Sequence, residues 1–276
     1  MSREFAVVYD RAREAILGAS ARAVARELGC SAEYTDELIF LSDREIDFRK
    51  CVFFDADVIT GLRLETLNVR LCNNVGSAEL CADRRCVFRM LEGDGIVPSW
   101  IPSPATALED KEFLRAYATQ TAERLGLPLI AIPAQTGWRS KATRIDTLED
   151  LISLCAEDAY VFLQGDLDLC KTYSLYVVDG DVKGTVTFVK DGTAAQITPP
   201  YGMESTAVDA CALLGLDFGC VTMIEGRNQK PLVLDVNACA PFEAFNDACG
   251  ICIEKAIAET VRKENNMISD FPGFGF

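Results

Sequence analysis

The sequence predicts an α/β fold in which a parallel first half is followed by an antiparallel, α+β-like second half. Short apolar runs typical of strands alternate with helical segments in the first half of the chain. Asp-Gly pairs at 179–180 and 191–192 separate alternating segments further on, as in β-hairpins. The chain has 276 residues, 49% apolar and 25% charged, which is the composition of a folded globular protein.

A first subdomain is predicted over residues 1–90, built from two strand–helix units. A strand at 5–10 leads into a helix that Gly29 ends, and a strand at 51–55 leads into a helix at 60–67. Residues 32–40 fit either a strand or a helix, and a further helix is predicted over 76–91. This alternation favours parallel strands.

A central or lid subdomain is predicted over 91–163 and a C-terminal subdomain over 164–276. Prolines at 98, 102 and 104 mark the first boundary. Helices are expected at 111–125 and 147–155, around a strand at 128–133 and a polar loop at 135–141. Hairpin strands, a helix at 205–214, strands at 218–224 and 232–236 and a closing helix at 251–264 then follow. Residues 269–276 are expected to be loosely held.

The charge balance excludes several partners. With 42 acidic and 27 basic residues, the net charge of −15 opposes contact with nucleic acid or with an anionic membrane. The apolar runs are too short to cross a bilayer, and the charged start does not resemble a secretory signal, so a cytoplasmic location is expected.

The reactive residue types are also restricted. The chain contains no histidine, which excludes Ser-His and Cys-His nucleophiles and histidine-bound zinc. Its 12 cysteines are mostly in apolar surroundings without paired metal spacing, so we interpret them as buried structural thiols.

The most informative segment is 219–237, which is typical of two strands joined by a tight polar turn. Asp235 and Asn237 are two residues apart on the second strand, so both side chains project from one face while Val236 enters the core. A carboxylate and an amide oxygen together suit a hard cation such as Mg²⁺. Asp and Asn also act as caps and turn formers at strand ends, so this pattern alone leaves both interpretations open. Asp235 is expected to be partly solvated there.

Further motifs occur in a fixed order along the chain. They are FAVVYDR at 5–11, NN at 73–74, DR at 83–84, GIVP at 95–98, LGLPLI at 125–130, VVDGDV at 177–182, LGLDFGCV at 214–221 and LDVN at 234–237. In this order they resemble the ATP-grasp fold, and within it the RimK-like carboxylate–amine ligases. The similarity is greatest to the branch that attaches an amino acid to the carrier protein LysW.

The resemblance implies that two sheets grip ATP and that a substrate carboxylate takes the γ-phosphoryl group. An amine would then attack the acyl phosphate, with release of ADP and phosphate. This chemistry depends on positioning and charge neutralisation and needs no histidine. By position, Asp235 and Asn237 would hold Mg²⁺, and Val161, Phe162 and Leu163 would lie at the adenine-binding hinge.

The motifs are degenerate at four places. Ile132 occupies the position of an ATP-contacting lysine, and the lid at 136–139 reads TGWR, without the glycines that admit phosphate. Thr222 stands where a metal-binding aspartate is usual, and we keep it in the predicted metal site. Ser174 lies near the position of an arginine that follows the hinge.

Other cations could compensate for these losses. Arg84 keeps the charge at a lysine position, and four further cations could turn inward: Lys141, Arg139, Lys171 and Lys190. We therefore predict Arg84, Lys141 and Lys171 as catalytic cations, the first two also binding nucleotide. The alternative for each is a solvated surface residue.

The leading prediction is an ATP-dependent carboxylate–amine ligase that uses ATP and Mg²⁺. The alternatives are a degenerate paralogue that only binds or regulates, and a phosphotransferase. Small molecules or short peptides are the expected substrates, and homo-oligomerisation is left open. An acidic carrier protein is not expected, because the chain itself is strongly acidic.

Overall fold

The computed structural model describes residues 3–55, 57–104, 110–135, 142–157, 159–165, 167, 171–189, 192–226 and 229–263. Its strands are β1 Phe5–Tyr9, β2 Ala32–Tyr34, β3 Lys50–Phe54, β4 Arg70–Cys72, β5 Trp100–Pro102, β6 Leu129–Pro133, β7 Thr143–Ile145, β8 Tyr160–Gln164, β9 Tyr173–Val178, β10 Asp181–Phe188, β11 Ala194–Gln196, β12 Phe218–Glu225 and β13 Pro231–Asn237. Its α-helices are α1 Glu14–Leu28, α2 Thr35–Leu38, α3 Val58–Thr66, α4 Val75–Leu80, α5 Arg84–Leu91, α6 Lys111–Leu125, α7 Leu148–Glu157, α8 Met203–Leu213, α9 Glu243–Cys249 and α10 Ile253–Arg262. Short 3-10 turns cover Arg11–Arg13 and Glu92–Asp94.

The described strands form three sheets that follow one another along the chain. The first has the order β2-β1-β3-β4 with every pair parallel, which confirms the parallel sheet predicted from strand–helix alternation. The central sheet, β5-β8-β6-β7, and the C-terminal sheet, β11-β10-β9-β12-β13, are antiparallel. Helix α10 lies against α1 and contacts both β3 of the first sheet and β9 of the C-terminal sheet, so the end of the described chain packs against both.

The helix predicted over residues 76–91 is two helices, which corrects the sequence-based prediction. Asn74 caps α4, accepting the N–H of Ser77. Asp83 then begins α5, because its carboxylate accepts the N–H of Arg85 at 2.8 Å. A side-chain acceptor that satisfies the first free N–H groups of a helix defines a new start, even within a helical sequence.

The sequence did not predict strands β4, β5 and β7 or helix α9. Each of these strands is three residues long and lies at an edge of its sheet, β4 in the first sheet and β5 and β7 in the central sheet. A strand this short shows too little alternation to be recognised, and Pro102 fits β5 because an edge strand leaves one side unpaired. The Asp-Gly turn at 179–180 is confirmed between β9 and β10: Asp179 and Gly180 have φ of 52° and 74°, as a two-residue hairpin turn requires.

The central sheet is apolar on both faces. Leu129, Ala131 and Phe162 pack with residues of α6 and α7. Ile130 and Ile132 instead join the large cluster that includes buried residues of the C-terminal sheet. One apolar cluster therefore runs from this face of the central sheet to the C-terminal sheet.

Asn73 ties the end of β4 to the C-terminal sheet. Its Nδ2 donates to the carbonyls of Phe218 at 2.9 Å and Ala238 at 3.1 Å, and its Oδ1 accepts the N–H groups of Asp217 and Phe218. The side chain is fully buried, so each of these bonds replaces one with water. This asparagine from the NN motif has a structural role.

Within the described residues, no helix combines the length and apolarity that crossing a membrane requires.

Candidate active site

The two strands predicted from residues 219–237 form the hairpin of β12 and β13. Thr222 pairs with Asp235 across these strands and with Ser174 on the other side, so the three residues form one row over β9, β12 and β13. Asn237 is two residues further along β13, opposite Cys220. Asp235 and Asn237 are half-buried on one face of the strand while Val236 is fully buried, as the alternation predicted.

Arg84 reaches this row from the first turn of α5. Its Nη2 donates to Asp235 Oδ2 at 2.8 Å, and its Nη1 donates to the carbonyls of Pro133 and Gln135. Its backbone N–H also donates to the carbonyl of Ala134 at 2.7 Å. One buried arginine therefore joins the end of β6 in the central sheet to β13 in the C-terminal sheet. The sequence singled out both members of the ion pair but did not predict their contact.

Asp235 is less solvated than the sequence suggested. Its side chain retains 15% exposure and that of Arg84 only 3%. Among the described residues, the second carboxylate oxygen, Oδ1, is buried without a hydrogen-bond partner. Burial raises the pKa of this carboxyl group above its usual range, and the charge of Arg84 opposes the shift. A buried carboxylate oxygen without a partner is costly, and a cation, a proton or a water molecule at that position would satisfy it.

The two other predicted metal ligands offer weaker donors. Asn237 Oδ1 accepts the N–H of Cys239 at 2.9 Å, so this amide already shapes the turn that leaves β13. Thr222 contributes a half-buried hydroxyl beside Asp235. No group of three or more acidic, cysteine or histidine side chains in the described parts of the chain is arranged to hold a metal. A single carboxylate oxygen with neighbouring neutral oxygens fits a Mg²⁺ ion that brings its own phosphate ligands.

The predicted hinge residues Val161, Phe162 and Leu163 lie inside β8. All three are fully buried, and β8 has a paired strand on each side, β5 and β6. Their backbone groups therefore belong to the sheet ladder. Gln164 still pairs with Leu129 of β6 but lies beyond the end of β5, and Gly165 is the first residue past β8.

The remaining predicted site residues are the two lysines, Lys171 and Lys141. Lys171 is exposed, with its Nζ 5.4 Å from the ring centre of Tyr173, the first residue of β9. It therefore stands at the end of the C-terminal sheet where Ser174, Thr222 and Asp235 pair. Lys141, together with Arg139, Lys190 and the lid at 136–139, lies outside the described residues.

Ile132 occupies a packed position. It is 6% exposed and belongs to the apolar cluster shared by the central and C-terminal sheets. The position at which the resemblance expects a lysine is therefore filled by a buried apolar side chain of this cluster.

The cysteines behave as the sequence predicted. Most of those in the described residues are buried, and none is paired in a disulfide. Burial raises the pKa of the thiols, to about 11 for Cys155 and about 12 for Cys211, so they are protonated at neutral pH. Their role is packing.

Two curated proteins are similar to this chain over most of its length. Beta-citrylglutamate synthase B of Danio rerio is 25% identical over 224 residues, which cover 75% of this chain and 54% of that protein. N-acetylaspartylglutamate synthase A of Homo sapiens is 24% identical over 222 residues, covering 74% and 55% of the two chains. The match thus spans about half the length of these relatives. No family model matches the chain.

Solved structures resemble the chain over almost its whole length. The ATP-grasp ligase PsnB complexed with a minimal precursor has a TM-score of 0.70 at 16% identity, covering 95% of this chain and 99% of that one. An ATP-grasp RimK domain protein from Sphaerobacter thermophilus has a TM-score of 0.71 at 17% identity, covering 94% and 100%. D-alanine–D-alanine ligase from Bacillus anthracis has a TM-score of 0.67 at 15% identity, covering 94% and 96%.

These similarities confirm the predicted fold class. The chain has the ATP-grasp fold, and the proteins it resembles in sequence and structure are ATP-grasp ligases and synthases.

Proposed function

We propose that this protein is an ATP-dependent ligase that joins a carboxylate to an amine through an acyl phosphate, with release of ADP and phosphate. The observation that carries the proposal is the buried pair of Arg84 and Asp235, placed where the central and C-terminal sheets of an ATP-grasp fold meet. The unsatisfied Oδ1 of Asp235 supports a role in cation binding, because a buried carboxylate oxygen without a donor is costly unless the protein uses it.

The donors present fit one Mg²⁺ ion bound together with nucleotide. Asp235 would supply the charged ligand, and Asn237 and Thr222 the neutral oxygens beside it. Bound Mg-ATP supplies the phosphoryl group and neutralises charge on its phosphates. Arg84 keeps Asp235 in one orientation, since its guanidinium is itself fixed by two backbone carbonyls of the central sheet.

Other residues of the chain would bind and orient the substrates. Lys171 precedes β9, whose Ser174 pairs with Thr222, and would offer a cation to phosphate. Lys141 is the corresponding candidate from the lid. Gln164 and Gly165 are the backbone groups that we assign to the base edge, whereas Val161, Phe162 and Leu163 form the apolar strand behind them. Expelling water from this site strengthens each of these charge interactions.

Small molecules are the substrates that the observations favour. The names of the two curated relatives describe synthases of citrylglutamate and N-acetylaspartylglutamate, each an acid joined to glutamate. We propose a small carboxylic acid and an amino acid or short peptide for this chain. A strongly acidic carrier protein fits poorly, because the net charge of −15 would slow its approach.

The test is a matrix of small acids and amino acids, assayed for ADP production from Mg-ATP. Hydroxylamine in place of the amine should trap the activated carboxylate as a hydroxamate. We expect ADP release that requires both an acid and an amine, and its loss in Asp235→Asn. A protein that neither produces ADP across the matrix nor gains thermal stability with Mg-ATP contradicts the proposal.

A binding or regulatory paralogue is the second candidate, and the ion pair itself favours it. The Arg84 guanidinium already binds one oxygen of Asp235, the main candidate metal ligand, as it would in a site that has lost catalytic activity. Thermal stabilisation by Mg-ATP without ADP production over the whole matrix would identify this case. ADP release that needs an acid but no amine would instead identify a phosphotransferase.

A further inference from the structure

The two oxygens of the Asp235 carboxylate have different surroundings. Oδ2 accepts a charged hydrogen bond from Arg84 Nη2 at 2.8 Å. Oδ1 is buried and has no hydrogen-bond partner among the described residues. The guanidinium cannot turn away freely, because the carbonyls of Pro133 and Gln135 hold its other end. Asp235 can therefore present one oxygen to a metal while the other stays bound to a cation of the protein.

This pairing makes the site a poor one for a bare metal ion. The carboxylate and the guanidinium cancel in charge, and within the described residues no further acidic group completes a metal-binding cluster. A free divalent cation would give up bound water in exchange for only one carboxylate oxygen, and the positive charge of Arg84 would repel it. A metal that arrives on a polyphosphate carries negative charge with it, and the same guanidinium then attracts the complex.

We propose that Arg84 makes the site selective for a metal–nucleotide complex over the free metal ion. The proposal rests on the proposed function, in that Asp235 is taken to hold the metal of Mg-ATP. Arg84 is a positioning residue here: it occupies Oδ2, orients Oδ1, and withholds the second carboxylate oxygen that a bare cation would need. Nucleotide and metal then enter together.

The experiment measures Mn²⁺ binding in the absence of nucleotide. The electron paramagnetic resonance signal of the unbound ion gives the free Mn²⁺ concentration, and hence the amount bound. The proteins are the parent, Arg84→Met, Arg84→Met/Asp235→Asn and Arg85→Met. The last is a matched control, because Arg85 is the next residue on the same helix and pairs with Asp83 rather than with Asp235. We expect Arg84→Met to bind Mn²⁺ roughly tenfold or more tightly than the parent, since the repelling charge is gone and both carboxylate oxygens are available. The double variant and Arg85→Met should bind as weakly as the parent.

Folding of the variants provides a second measurement. Arg84→Met leaves Asp235 without its counter-ion, so this variant should melt at a lower temperature than the parent. Adding Mn²⁺ alone should then raise the melting temperature of the variant by roughly 5 °C. If this variant does not fold at all, Arg84→Lys replaces it. A lysine has one charged nitrogen and cannot hold Asp235 and both carbonyls together, so a smaller gain in Mn²⁺ affinity is expected.

An unchanged Mn²⁺ affinity in the folded Arg84 variant overturns the inference, as does a parent that binds Mn²⁺ alone as tightly as it binds Mn-ADP. Failure of the proposed function has a different signature, because the parent would then produce no ADP across the substrate matrix, whatever the Arg84 variants do with free metal.

Discussion

Asp235→Ala removes the carboxylate that compensates a buried guanidinium, and we expect it to lower the free energy of unfolding by about 3 kcal/mol. Breaking a buried ion pair by deleting one partner costs about 3–5 kcal/mol, because the other charge stays buried. The lower end applies here, since the Asp235 side chain keeps 15% exposure and Arg84 retains two carbonyl acceptors. This corrects the expectation of a solvated carboxylate, whose removal would cost little.

Urea unfolding followed by circular dichroism measures this loss, with Arg84→Met/Asp235→Ala as the control. Removing both charges leaves no uncompensated ion, so the double variant should lie within about 2 kcal/mol of the parent. The stability losses of Asp235→Ala and Arg84→Met should then sum to more than the loss of the double variant. The difference is the favourable coupling energy of the pair. A loss below about 1 kcal/mol in Asp235→Ala, or single losses that simply add, would refute the assignment of a buried and coupled pair.

Three further predictions concern the packing around the site. Ile132→Lys should lose about 3 kcal/mol or more at pH 7, with a smaller deficit at pH 9.5, because a buried lysine has a lowered pKa and is destabilising while charged. A deficit that does not change with pH would show that the lysine is not buried, and tighter ATP binding would show a vacant phosphate position. Asn73→Ala should lose about 3 kcal/mol in urea unfolding by leaving four backbone groups without partners, and a loss under about 1 kcal/mol would show that water replaces the amide. Burial raises the pKa of Asp217, so the parent loses stability as the pH rises from the unfolded-state pKa of this carboxyl group through its raised folded-state pKa. The stability of Asp217→Asn relative to the parent should increase over the same range, and a difference that does not change with pH refutes this.

The elements that the sequence predicted correctly are those with local signals. Alternation of apolar strands with helices identified the parallel first sheet, and an Asp-Gly pair identified the turn between β9 and β10. The spacing of Asp235 and Asn237 placed both on one face of β13. Each of these follows from neighbours within a few residues, so no knowledge of tertiary structure was needed.

The geometry of the candidate site could not be predicted from local signals, because it is formed by contacts between residues far apart in the sequence. Arg84 and Asp235 are far apart in the sequence, and nothing local indicates that an arginine in the first turn of α5 meets a strand of another sheet. The hinge prediction at 161–163 shows the same limit, because only pairing with β5 and β6 reveals that β8 is an interior strand. The packing role of Ile132 is likewise visible only in the structure, where this side chain joins the large apolar cluster.

Transfer of ¹⁸O tests the central claim, activation of a carboxylate by phosphoryl transfer, most directly. The acid that supports turnover is labelled with ¹⁸O in its carboxyl group and incubated with Mg-ATP and the amine. Attack of a carboxylate oxygen on the γ-phosphorus forms the acyl phosphate, and attack of the amine at the carbonyl carbon then expels phosphate. We predict one ¹⁸O atom in each phosphate released, one in the amide and none in ADP. Unlabelled phosphate, or label in a nucleotide, would contradict the account.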